Sequence, residues 1–248
     1  MARTAAIVVI GNEVLSGKVR EENASWLIGR LRELGVELKR ILVVPDESDA
    51  IVDAVKATFR KVDHVFCSGG IGPTHDDITV ESVALALGVP VVRSQQLVAL
   101  IDAHYRDRKP DGSLPPEAYR LAEVPEGARL ISHAGIWYPA IAFDELYLLP
   151  GVPMLFRAQF DALSARFRDA PFHLRELFLS IGEVPIAAAL DAVVGRHADV
   201  SIGSYPRFDA DADHRVKLTV ESRDADAVKR AFDDLKASLP AGAIVREA

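Results

Sequence analysis

Three glycines within four residues dictate where one regular element of this chain stops and another begins. They lie in Cys67-Ser68-Gly69-Gly70-Ile71-Gly72-Pro73-Thr74-His75-Asp76-Asp77-Ile78-Thr79. Upstream is the apolar run Val62-Asp63-His64-Val65-Phe66; downstream, Val80, Val83, Ala84 and Leu87 recur at helical spacing. A strand therefore ends in a turn with almost no side-chain bulk, and a helix follows at once. Such a turn exposes backbone N–H groups and the helix start adds partial positive charge, a combination suited to a phosphate. Asp76 and Asp77 would repel that phosphate unless a divalent cation or a proton lay between. The segment points to metal-assisted chemistry on a phosphorylated ligand.

The flanking sequence repeats the strand-then-helix theme. Ala6–Ile10, Glu37–Val44 and Val62–Cys67 read as strands, the first wholly apolar. Between them, Ala24, Leu27, Ile28, Leu31 and Leu34 mark a helix ended by Gly35, and Ile51, Val52, Val55 and Phe59 mark another introduced by Ser48 as N-cap. The order β-α-β-α-β predicts a doubly wound, mostly parallel α/β sheet covered on both faces. In such sheets ligands bind outside the carboxyl ends of the strands, where the glycine turn falls. Further on, Gln95–Arg108 reads as a helix and Lys109–Pro116 as a surface loop. Arg129–Ser132 and Glu145–Leu149 read as strands, and Leu155, Phe156, Phe160, Leu163 and Phe167 line one face of a helix.

After Pro171 the pattern changes. Leu177, Leu179 and Ile181 alternate, Pro185–His197 is helical, and Val200 and Ile202 suggest a strand closing in a turn at Gly203-Ser204-Tyr205-Pro206. Val216, Leu218 and Val220 alternate with polar residues, Val228, Ala231, Phe232 and Leu235 form a helix, and Ala243–Val245 forms a last strand. This is β-α-β-β-α-β, a ferredoxin-like α+β order. Two domains are expected, residues 1–170 and 171–248.

Composition narrows the function classes. A net charge of −7 over 248 residues argues against general nucleic-acid binding, which demands a basic face. The single cysteine, Cys67, forbids an internal disulfide, fits a reducing compartment and reads as a small buried hydrophobe. Ala5–Ile10 is far too short for a membrane span and lacks a signal-peptide cleavage region. The expectation is a cytoplasmic protein acting on a small molecule, with no nucleic acid and no membrane.

Candidate site residues cluster in loops that follow strands. Gly11-Asn12-Glu13-Val14-Leu15-Ser16-Gly17-Lys18 lets backbone approach a ligand at Gly11 and Gly17 while Asn12 and Glu13 offer polar groups; a plain turn has the same composition. Asp46 closes the second strand, either as a helix-starting acid or as a site residue. Asp77 sits within a turn of the glycines, and carboxylate oxygens suit Mg²⁺ or another divalent ion. Glu81 reads as an ordinary helix-start acid, and His75 as either a general acid or an exposed loop histidine. Pro150-Gly151-Val152-Pro153 precedes a helix and offers amides to the far end of a ligand; Tyr205 is a ring-stacking candidate or a turn residue. No loop closes as a P-loop, no His/Cys cluster suits zinc, and no Gly-x-Ser-x-Gly elbow is present.

Gly69–Thr79, Gly11–Gly17 and Pro150–Pro153, three separated loops in order, closely resemble the molybdopterin-binding (MoaB/Mog-like) domain family, within it the N-terminal domain type of CinA proteins. The resemblance covers about residues 3–168. Phe172–Leu177, Gly203–Pro206 and Val216–Thr219 are similar to the region that follows this domain in eukaryotic FAD synthase. The resemblance implies a phosphorylated ligand at the strand ends. Gly11, Asn12, Glu13, Gly17, Ser68, Gly69, Gly70, Gly72, Pro73, Thr74, Thr79, Pro150, Gly151 and Pro153 would contact it, with Asp46 and Asp77 matching the acidic positions. It implies divalent-metal-dependent cleavage of the pyrophosphate in FAD or ADP-ribose, the ion (Mg, Mn or Co) held by Asp46, Asp77 and Glu13. Pterin binding or adenylylation in molybdenum cofactor biosynthesis, or a non-catalytic ligand-binding module, are the alternatives, and self-association into a homo-oligomer is expected. Where CinA has an Ala-Pro-Gly loop, this chain has Gly135-Ile136-Trp137-Tyr138-Pro139-Ala140, a loop expected to shape the substrate end; Trp137 and Tyr138 are either ring-stacking or core residues.

Overall fold

The computed structural model describes residues 3–106, 114–209 and 211–248. The chain divides into two units, Met1–Asp169 and Ala170–Ala248.

In the larger unit, β1 (Thr4–Ile10) is followed by a single helical turn, α1 (Asn12–Leu15), and then by α2 (Asn23–Glu33). Next come β2 (Glu37–Val44), α3 (Ser48–Thr58), β3 (His64–Ser68), α4 (Thr79–Leu87), β4 (Val91–Arg93) and α5 (Gln95–Tyr105). The unit closes with β5 (Glu123–Pro125), β6 (Arg129–His133), β7 (Ile136–Phe143), β8 (Leu146–Leu149) and α6 (Pro153–Leu163). Six strands form one sheet in the order β2-β1-β3-β8-β7-β6. The first four run parallel, and β7 runs antiparallel to both its neighbours.

Side-chain alternation along β1 shows why the sheet is covered twice. Ala5, Ile7 and Val9 pack with Leu27 and Leu31 of α2 and Phe156, Phe160 and Leu163 of α6. Val8 and Ile10 face the other way, into Ile51 and Val55 of α3, Val83 of α4 and Leu97 and Ile101 of α5. A strand buried on both faces has no polar position to offer, which explains the unbroken apolar run. The arrangement is a doubly wound α/β fold.

Several local expectations need correction. Residues 135–140 are not a loop. Gly135, at φ +83°, turns the chain into a hairpin and Ile136–Phe143 is a strand. Pro139 is tolerated there because β8 pairs only with Ile141–Phe143, and the β6 register breaks between Ile131 and His133. β4 and β5 form a two-stranded antiparallel sheet that short, mixed sequence did not signal. β2 lies at the sheet edge with Ile41 and Val43 exposed, so it is covered less than its apolar content suggested. Ser48 does not cap α3; it is that helix's first residue, and its Oγ accepts from Ser82 Oγ of α4 at 3.2 Å. The helix expected to reach Arg108 ends at Tyr105; its predicted end and most of the loop expected at 109–116 lie outside the described residues.

The smaller unit comprises β9 (His173–Leu179), α7 (Ala187–Arg196), β10 (Ser201–Pro206), β11 (Val216–Ser222), α8 (Ala225–Ser238) and β12 (Ile244–Glu247). Its antiparallel sheet has the order β10-β11-β9-β12, the ferredoxin-like arrangement. Leu177, Leu179, Val216, Leu218 and Val220 face Val193 of α7 and Val228, Phe232 and Leu235 of α8. Gly203–Pro206 is part of β10 rather than a turn after it, paired with Val216–Thr219.

Candidate functional site

The parallel strands all end on one side of the sheet, and the site is assembled from the turns that follow them. After β1, Gly11 N–H donates to the Val44 carbonyl at 3.1 Å, so the first turn is pinned to the end of β2. There Asp46 Oδ2 accepts from Asn12 N–H at 2.7 Å, an otherwise orphaned donor at the start of α1. Glu13 folds back over the glycine: a Cβ on Gly11 would lie 2.5 Å from Glu13 Oε1.

The turn after β3 is tighter. Gly69 and Gly70 have φ of +104° and +64°, and Cβ atoms there would lie 2.3 Å from the Ile10 carbonyl oxygen and 2.3 Å from Thr79 Oγ1. Thr79, fully buried at the first position of α4, donates from Oγ1 to Gly69 O at 2.9 Å and from N–H to Gly70 O at 3.0 Å. The turn is therefore locked from below while its upper face stays open. At Gly72 a Cβ would lie 2.5 Å from Asp77 Oδ2. That same oxygen accepts from Thr74 N–H at 2.8 Å and shares the one Thr74 Oγ1 proton, at 2.5 Å, with Asp76, while Oδ1 has no partner among the described residues. Arg120 donates to the Thr74 carbonyl at 2.7 Å and steadies the tip. Hydrogen bonding from Thr74 Oγ1 holds the neighbouring Asp76 carboxyl below its usual range. His75 is 95% exposed, 3.8 Å from Asp76, and faces no enclosed site.

A cavity of about 750 Å³ opens beside these turns. Glu13, Gly69, Gly70, Gly72, Asp77, Pro150, Gly151 and Pro153 line it, so eight of the residues expected from sequence are brought together. Gly11, Asn12, Gly17, Asp46, Pro73, Thr74 and Thr79 are not in its wall; Ser68 lines a small adjoining cavity. Among the described residues no three His, Cys, Asp or Glu side chains gather as a metal site, and Asp46 does not join Glu13 and Asp77.

The opposite wall was not foreseen as a whole. Leu121, Ile136, Trp137 and Tyr138 meet Leu155, Ala158 and Gln159 there, the last three one face of α6 at helical spacing. The helical spacing read from sequence marked the core face of α6, with Phe156, Phe160 and Leu163, and gave no signal for Ala158 or Gln159. Trp137 stacks on His104 with centroids 4.0 Å apart and planes 14° from parallel, so one of its faces is already used. The Tyr138 hydroxyl donates to the Leu121 carbonyl at 2.8 Å, and burial raises its pKa. Tyr138 is thus a wall-building residue. Cys67, one residue before the turn at Ser68, is wholly buried, and desolvation pushes its thiol up to about 12.

Residues 6–169 match the family model described as "Probable molybdopterin binding domain". The chain belongs to the molybdopterin-binding domain family. Residues 171–248 match a second model, "FAD synthase, middle domain". A protein of Archaeoglobus fulgidus is 30% identical over 92% of this chain and 96% of its own length. A "CinA-like protein" of Salinibacter ruber is 29% identical over 95% of this chain, and a "Probable FAD synthase" of Caenorhabditis elegans 30% over 98%. The chain spans only 58% and 51% of those two relatives. Among solved structures, the protein CinA of Thermoplasma acidophilum, itself of unknown function, superposes with a TM-score of 0.60 at 29% identity, covering 67% of this chain and 98% of that one. This family member is therefore a CinA-type, molybdopterin-binding-like chain with FAD synthase-like relatives. Among the described residues no helix is long and apolar enough to cross a membrane.

Proposed function

We propose that this family member is a divalent-metal-dependent nucleotide pyrophosphatase acting on FAD or ADP-ribose. The observation that carries the proposal is the pair of carboxylates, Glu13 and Asp77, each lying over a glycine backbone and both lining the cavity of the glycine turn. The volume suits a nucleotide-sized ligand, and the Trp137 side supplies an apolar wall for a ring. The donor set fits a hard cation held mainly by ligand phosphates: among the described residues neither the Glu13 carboxylate nor Asp77 Oδ1 makes a hydrogen bond. Glu13 and Asp77 would hold such an ion, which would supply neutralisation of phosphoryl charge and activation of water. The amides of Gly69–Gly72 orient phosphate oxygens, and Asp46 holds the Glu13 turn through Asn12.

The test is AMP release from FAD and from ADP-ribose with Mg²⁺, Mn²⁺ or Co²⁺, read by chromatography. Turnover is expected to require the metal and to fall on the order of 10²-fold or more in Asp77→Ala. Full activity of Asp77→Ala would remove the site assignment. Family membership favours a second function, molybdopterin binding or adenylylation, or a ligand-binding module without turnover. Pterin binding with no AMP released from either dinucleotide would favour these over the pyrophosphatase.

A further inference from the structure

Asn23, the first residue of α2, is 5% exposed and joins the two turns that face each other across the end of the sheet. Its Nδ2 donates to Ser68 Oγ at 2.8 Å and to the Gly151 carbonyl at 2.8 Å. Ser68 is the last residue of β3, immediately before the glycine turn; Gly151 belongs to the Pro150–Pro153 turn after β8. These turns are already in contact. A Cβ on Gly151 would lie 3.2 Å from Gly69 Cα, and Gly69 N–H donates to the Leu149 carbonyl at 3.1 Å.

The remaining polar atom of Asn23, Oδ1, is buried and has no hydrogen-bond partner among the described residues. A buried acceptor without a partner is destabilising, so stability is a poor reason for a carboxamide at this place. What a carboxamide provides is two N–H donors on one nitrogen at a set angle. They hold a hydroxyl on one turn and a carbonyl on the other at a defined separation. Asn23, Ser68 and Gly151 also line a cavity of about 50 Å³ that shares Glu13, Val19, Gly151 and Pro153 with the large one. The clasp therefore stands directly behind the ligand site.

We infer that Asn23 is a positioning residue: its Nδ2 sets the gap between the glycine turn and the Pro-Gly turn, and so aligns the Gly69–Gly72 amides with the opposite wall. It acts through Ser68 and Gly151, not by touching ligand. Only the kinetic arm of its test rests on the proposed pyrophosphatase activity.

The test uses Asn23→Ala and Asn23→Asp in the full chain. In Asn23→Ala, amide hydrogen exchange should rise roughly tenfold or more at Gly69 and Thr79, whose N–H groups hold the glycine turn, and at Leu155 and Phe156, which donate to the Val152 carbonyl, while Ile7–Val9 of β1 keep their protection. The kcat/KM for AMP release from ADP-ribose should fall on the order of 10²-fold, mostly in kcat. Asn23→Asp adds a pH signature. Its ionised carboxylate cannot donate to Gly151 O, whereas the protonated acid donates one O–H. Its activity relative to the parent chain should therefore be higher at pH 5 than at pH 8. Unchanged exchange at both turns, or a uniform rise throughout residues 3–106, overturns the inference. If the parent chain releases no AMP, the proposed activity falls while the exchange arm still decides the role of Asn23. If Asn23→Ala does not fold, the pH dependence of Asn23→Asp decides it, and a flat ratio rejects the role.

Discussion

Gly70→Ala measures how tightly the glycine turn is built. Gly70 sits at φ +64°, where a residue carrying Cβ costs roughly 1–2 kcal/mol. The added methyl would lie 2.3 Å from Thr79 Oγ1, so that hydroxyl must rotate away. Rotation breaks its 2.9 Å bond to Gly69 O and leaves a buried carbonyl unpaired, about 1–3 kcal/mol more. The expected loss is thus about 2–5 kcal/mol. Thr79→Ala alone should cost about 1–3 kcal/mol, because it removes the same bond. In that background Gly70→Ala meets Thr79 Cβ at 3.3 Å, a contact that small shifts relieve, and Ile10 Cγ2 at an ordinary 3.6 Å, so just the backbone cost remains. The double variant should then lose no more than Gly70→Ala by itself, a coupling of about 1–3 kcal/mol. Both tryptophans, Trp26 and Trp137, lie in the larger unit, so their fluorescence in urea follows that unit alone. The midpoint should move at constant slope. A loss below about 0.5 kcal/mol for Gly70→Ala, or strict additivity of the two substitutions, would refute the steric argument.

Two titrations probe the buried groups. Cys67, whose thiol desolvation pushes from 9.0 up to about 12, should resist a thiol reagent at pH 8 in the native chain and react once urea unfolds it; native labelling at the rate of a free thiol would contradict its burial. Because the folded value is raised, its stability contribution is complete below pH 9 and is lost as pH climbs from there toward 12. His64 has the opposite sign. Burial lowers its pKa below 6.5 although Glu145 Oε2 lies 3.0 Å from Nδ1, so the unfolded chain binds the proton more readily. The thermal midpoint should fall as pH drops below about 6.5, and His64→Gln should flatten that fall; an unchanged slope counts against it.

Local chemistry made parts of this molecule legible and hid others. β1, β3 and β8 announce themselves because helices cover both their faces and keep the middle of each strand apolar. β7 did not, since Pro139 argues against a strand and only the uneven pairing of its neighbours makes room for it. The glycine turn was legible because positive φ at Gly69 and Gly70 leaves few other residues possible. The wall formed by Leu121, Ile136 and Gln159 was not, because it exists only after separate elements pack. Asp46 marks the boundary between the two cases. Its position at a strand end implied proximity to Asp77, but position does not determine aim, and an orphaned N–H at Asn12 captured its carboxylate.

The same distinction changes what two of the glycines mean. Gly11 has an extended backbone at φ 162°, and Gly72 is not among the positive-φ glycines, so neither needs glycine for its conformation. Each instead leaves the space into which a carboxylate folds: Glu13 Oε1 over Gly11 and Asp77 Oδ2 over Gly72, each 2.5 Å from where a Cβ would stand. Any side chain at these positions would push the acid off its perch. The spacing of glycine to acid, two residues in the first turn and five in the second, is therefore part of the site's acid placement as much as of its turns. Gly69 and Gly70 shape the cradle, whereas Gly11 and Gly72 determine where its negative charge can lie.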